Sequence, residues 1–77
     1  MTPAQCRAAR ELLDWTQIKL AEASRIAVAT VIRFERNGRP VAAEAVQTIQ
    51  RALETADIEF IDKNGAGVKL RAKGKRK

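Results

Sequence analysis

Four arginines, Arg25, Arg33, Arg36 and Arg39, lie within residues 25–39 of this chain, in and beside the run AEASRIAVATVIRFERNG. A guanidinium is a rigid fork of donors, always charged, that matches phosphate or the edge of a guanine. Arginines at this density therefore suit a polyanion. The stretch after Arg25, however, opens on Ala27, Val28, Ala29 and Thr30, almost without hydrogen-bonding side chains. Any surface built here combines a few strong cationic contacts with small apolar ones.

The rest of the chain excludes most other chemistry. It has no histidine and a single cysteine, Cys6. Intrachain disulfides and metal sites built on histidine or several cysteines are ruled out, and no cofactor is expected. The commonest general base is missing and no carboxylate cluster replaces it, so the chain is not expected to be an enzyme. Cys6, at helical spacing from Ala9 and Leu13, reads as core filler. No run is long and apolar enough for a membrane span or a signal segment, which with the unpaired thiol points to the cytoplasm.

The net charge of +6 is segregated along the 77 residues. Residues 1–40 carry a net +3, residues 41–68 a net −3, and residues 69–77 six bases without an acid. A basic first half is a candidate polyanion-binding face. With Trp15, Phe34 and Phe60 as the only aromatic residues, the core must be aliphatic and thin, and so small a domain gains from pairing with a copy of itself.

The elements that position these residues follow from caps and periodicity. Thr2-Pro3 starts a helix over residues 3–13 with Cys6, Ala9 and Leu13 inward. Thr16 caps a second helix over 17–24, burying Leu20 and Ala21. A third covers 28–36, burying Val31 and Phe34 with Ile26 under the turn, and Asn37-Gly38 supplies its stop. A fourth covers 42–55 with Ala42, Ala45, Val46, Ile49, Ala52 and Leu53 in one stripe. Beyond Asp57 the period becomes two. Ile58, Phe60, Val68 and Leu70 share one face of a β-hairpin, with Glu59 opposite Lys69 or Arg71 on the other. Residues 72–77, AKGKRK, have nothing to bury and read as a flexible basic tail.

The run TQIKLAEASRIAVATVIRFERNGRP resembles the helix-turn-helix of the λ/434 repressor and Cro class, the XRE-type regulators. The likeness lies in Thr16-Gln17, Leu20-Ala21-Glu22, Ile26, Val31, Phe34-Glu35-Arg36, the Asn-Gly stop and Arg39-Pro40. Arg10, Leu13 and the Asp14-Trp15 link extend it to the first helix. It implies that the third helix enters the major groove of double-stranded DNA. Ala27, Val28, Ala29, Ile32 and Arg33 would then face base edges, Arg33 taking guanine N7 and O6 and the apolar groups meeting thymine methyls. Thr16, Gln17, Arg25, Arg36, Asn37 and Arg39 would face phosphates. Arg10 and Glu35 would form a buried ion pair. Two positions depart from the family: Arg25 replaces the usual turn glycine and Ala27 the usual hydroxyl cap, each at a cost of ~1 kcal/mol.

The expected architecture is an all-α helix-turn-helix domain over residues 1–57, a C-terminal β-hairpin over 58–71 and a basic tail over 72–77. Ile58, Phe60, Val68 and Leu70 would make a homodimer on a pseudo-palindromic operator. The alternative is an antitoxin- or antiactivator-like module that keeps this fold while its apolar third helix or its hairpin binds a partner protein. Neither reading involves a membrane or a metal.

Overall fold

Thr2 and Pro3 start the first helix for separate reasons. The Thr2 hydroxyl accepts the Gln5 N–H at 3.0 Å, and Gln5 Oε1 accepts the Thr2 N–H at 2.9 Å. This reciprocal capping box satisfies amides that a helix leaves open, and Pro3 loses nothing at a position whose N–H has no helical partner. The computed structural model describes residues 1–37, 41–61 and 67–70, except for the Asn37 side chain. The helices are α1 (Pro3–Leu13), α2 (Gln17–Ser24), α3 (Val28–Asn37) and α4 (Ala43–Thr55), followed by strands β1 (Ile58–Phe60) and β2 (Val68–Leu70). The expected stop at Gly38 to Pro40, the hairpin loop at 62–66, Arg71 and the tail at 72–77 lie outside the described residues.

Each helix end has a local cause. Asp14 closes α1 in the left-handed conformation (φ 59°, ψ 40°), and its N–H meets the carbonyls of Arg10 and Glu11. Arg25 closes α2 the same way (φ 60°, ψ 41°), which makes the tight turn into α3 despite the absence of glycine. Thr16 caps α2 through its hydroxyl, which accepts the Lys19 N–H at 3.0 Å. Ala42 caps α4 with no side-chain hydrogen bond, so α4 depends on packing rather than on its start.

One aliphatic core joins every element. Cys6 and Ala9 come from α1, Leu20 and Ala21 from α2, Val31 and Phe34 from α3, Ile49 and Leu53 from α4, and Ile58 from β1. Leu20, Ile49, Leu53 and Ile58 are completely covered, each contributing on the order of 1.5–3 kcal/mol of apolar transfer. In so thin a core, Leu53→Ala would remove ~2–5 kcal/mol.

The hairpin is antiparallel, pairing Ile58 with Leu70, Glu59 with Lys69 and Phe60 with Val68. Its β1 strand packs on α4 and its β2 strand on α1. The Gln5 amide adds a hydrogen bond to the Gly67 carbonyl at 3.4 Å. Two helices, α4 and α1, therefore share the apolar face of the hairpin and cover it in part. Ile58, expected between copies, is 0% exposed within its own chain and is a core residue, leaving no surface to offer a second copy. Phe60 and Val68 are half-buried against the core, and Leu70 stays 41% exposed.

Candidate nucleic-acid interface

The periodicity of α3 divides its side chains cleanly. Val31, Phe34 and Glu35 face inward, whereas Val28, Ala29, Ile32, Arg33 and Arg36 are exposed, as is Ala27 just before the helix. All five residues expected to face bases therefore lie on open surface. The only acid of α3, Glu35, is 2% exposed, so the described outer face of this helix carries positive charge alone.

Glu35 is the anchor of that arrangement. Arg10 Nε donates to Oε2 at 2.9 Å and Arg10 Nη2 to Oε1 at 3.0 Å, a bidentate pair. Gln17 Nε2 donates to Oε1 at 3.1 Å, and the Cys6 thiol to Oε2 at 3.2 Å. Arg7 Nη1 donates to the Glu35 backbone carbonyl, and Arg10 Nη1 reaches the Trp15 carbonyl at 2.9 Å. One carboxylate thus connects α1, the start of α2 and α3, and it fixes the angle at which α3 projects.

The protonation states follow from this geometry. Burial pushes the Glu35 carboxyl upward, but the donors from Arg10, Cys6 and Gln17 outweigh it and hold the group below its ordinary value. The bond to Glu35 raises Arg10 further. Burial, then the adjacent carboxylate, pushes the Cys6 thiol well up, so it acts as a neutral donor and not as a nucleophile.

The residues expected at phosphates are placed unevenly. Thr16 is exposed at the start of α2, while Gln17 beside it is half-buried and already uses its amide on Glu35. Arg25 and Arg36 are exposed. The Asn37 side chain and Arg39 lie outside the described residues. Sequence reading treated Cys6 only as core and gave Gln5 and Arg7 no role. Cys6 lies one helical turn before Arg10, and that i, i+4 spacing, set beside a buried Glu35, is the signal that could have placed its thiol on the carboxylate.

No helix among the described residues is long and apolar enough to cross a membrane. Nor do those residues hold a group of three or more His, Cys, Asp or Glu that could bind a metal ion. A family model described as helix-turn-helix matches residues 7–60, from α1 into β1. The chain belongs to this family, the Cro and λ repressor-like XRE class of DNA-binding regulators. A search of curated proteins finds no match to it.

Proposed function

We propose that this chain is a sequence-specific transcriptional regulator of the cytoplasm that reads a pseudo-palindromic operator through the major groove as a homodimer. The observation that carries the reading is the outer face of α3, which keeps Arg33 and Arg36 exposed while its only acid is buried. Arg33 is the one polar reader on that edge able to take a guanine bidentately. Val28, Ala29 and Ile32, with Ala27, would pack on thymine methyls. The exposed Thr16, Arg25 and Arg36 would meet phosphates, with Gln17 contributing beside its bond to Glu35; Asn37 and Arg39 complete the set from the sequence pattern.

Arg33→Ala should cost ~1–3 kcal/mol on the operator and relax the preference at one guanine, while Arg36→Ala weakens every duplex alike. Competition binding against random duplex is the test. Equal losses on both duplexes for Arg33→Ala would end the assignment.

The homodimer reading is supported by apolar side chains left uncovered on the hairpin side: Leu70, Ile61 and, on the adjoining face of α1, Leu12. Leu12 and Val68 line one shallow cavity there. We assign the interface to Leu70, Val68 and Phe60 with these neighbours, Ile58 being core. Two α3 helices related by such a two-fold axis would enter the groove one turn apart, ~34–36 Å. Sedimentation of the intact chain at micromolar concentration should show a dimer, and an 8.5 kDa species alone would refute it.

A second reading has one specific support. Ile18 is 62% exposed at the start of α2, and Val28 and Ile32 are exposed on α3, an apolar surface that also suits a protein partner of an antitoxin- or antiactivator-like module. Duplex binding that weakens steeply with salt favours the DNA reading, and a flat salt dependence favours the partner.

A further inference from the structure

Away from the exposed face of α3, a groove of about 370 Å³ runs between the end of α2 and the second half of α4. Trp15 lines it, Ala23, Ala52 and Ala56 contribute apolar surface, and among the described residues Arg25 and Arg51 are the only charged ones and no carboxylate lines it. Neither guanidinium has a hydrogen bond or ion pair with a described residue. The volume falls at the small end of the range for small-molecule sites, and an apolar lining with a few convergent polar groups is their usual make-up.

The backbone sets which residues stand beside this groove. Among the described residues three non-glycines have positive φ: Asp14, Arg25 and Asp57. Arg25 lines the groove, and the other two adjoin its residues Trp15 and Ala56. Aspartate visits this region readily, whereas arginine does so against its sterics, in a turn where glycine would sit without cost. What arginine supplies that glycine cannot is a second guanidinium in the groove that Arg51 also lines.

We propose that this groove binds a small organic anion with a flat apolar body, an aromatic carboxylate, between Trp15 and the two guanidiniums. The carboxylate accepts charge-assisted hydrogen bonds from Arg25 and Arg51, and the ring lies on the Trp15 side of the groove over the alanines. Bound there, the anion occupies Arg25, which sits two residues before Ala27 on the way into α3. Ligand and operator are then antagonists, each weakening the other by the same factor. This antagonism rests on Arg25 reaching a DNA phosphate; binding of the anion does not.

The test is a titration of the full chain with 2-naphthoate, followed by ¹H–¹⁵N NMR. The Trp15 indole N–H and the backbone amides of residues 23–25 and 51–56 should shift saturably. Arg51→Gln and Arg25→Gly should each weaken binding roughly tenfold or more, as expected for loss of a charged hydrogen bond. The neutral 2-naphthamide should bind more weakly by a similar factor. Absence of saturable shifts, unchanged affinity in Arg51→Gln, or inorganic phosphate binding as well as 2-naphthoate would each overturn the proposal. Arg51→Gln should keep its duplex affinity. If Arg25→Gly also keeps it, the phosphate role of Arg25 and the antagonism fall together while the ligand site stands.

Discussion

Replacing Arg10 with methionine should be among the most damaging single substitutions in this chain. Arg10 is 17% exposed and Glu35 2%, so the pair is largely out of water. Arg10→Met removes both guanidinium bonds to Glu35 and the bond to the Trp15 carbonyl. The carboxylate retains Gln17 and the Cys6 thiol, a weak donor. Stranding a buried charge in this way costs ~3–5 kcal/mol. At ~0.05–0.15 kcal/mol per residue, a domain this size holds only ~4–11 kcal/mol in total. With ~4–8 °C of Tm per kcal/mol, the loss is ~12–40 °C. Urea melts followed by far-ultraviolet circular dichroism give the free energy directly. The double variant Arg10→Met/Glu35→Met should recover most of the loss, because the remaining cost is that of the Gln17 and Cys6 donors left without an acceptor and the Trp15 carbonyl left without its donor. A single-variant cost below ~1 kcal/mol, the scale of an exposed ion pair, would refute the argument. So would a double variant no more stable than the single.

The Glu35 carboxyl is held below its ordinary value of 4.5, so its contribution is complete above that pH and is lost as pH falls through the folded value. Stability measured from pH 7 to pH 3 should therefore fall more steeply in the parent than in Glu35→Gln; parallel curves would show that Glu35 is not the group responsible. Deleting residues 72–77 removes four bases and should make the log–log salt slope of duplex binding shallower by up to roughly four units, with the preferred sequence unchanged. A constant slope would mean that the tail meets no phosphate.

The helices were legible because their signals are local. Thr2-Pro3 and Thr16 mark starts, and stripes such as Val31-Phe34 and Ile49-Leu53 mark the buried faces, so sequence boundaries and observed ones differ by about a residue. The left-handed turn at Arg25 was placed by resemblance, since arginine has no preference for it. What escaped depends on contacts distant in sequence. Whether Ile58 ends in the core or on the surface is decided by how β1 packs on α4 and β2 on α1, packing events that period-two alternation cannot report. Gln5 has no role legible in the sequence; its capping box and its bond to the Gly67 carbonyl accompany its burial. The groove between α2 and α4 is likewise invisible in the sequence, because Trp15, Arg25 and Arg51 are brought together only by the fold.

The apolar edge of α3 and the Glu35 network belong to one physical problem. A guanidinium tolerates small errors in position because charge acts over several ångströms, but the dispersion contact of a methyl group is lost within a fraction of an ångström to one ångström. If Val28, Ala29 and Ile32 form the reading edge proposed above, that edge demands closer placement of its helix than one made of long polar side chains. The two charged bonds from Arg10, with the donors from Gln17 and Cys6, hold the last turn of α3 to α1 and α2. The first turn lacks a side-chain cap at Ala27 and rests on backbone bonds from Thr30 and Val31 to the Ala27 carbonyl. Rigid at one end and lightly held at the other, α3 would, under the proposed reading, owe its selectivity to how firmly Glu35 is anchored, although Glu35 itself is buried away from the exposed face.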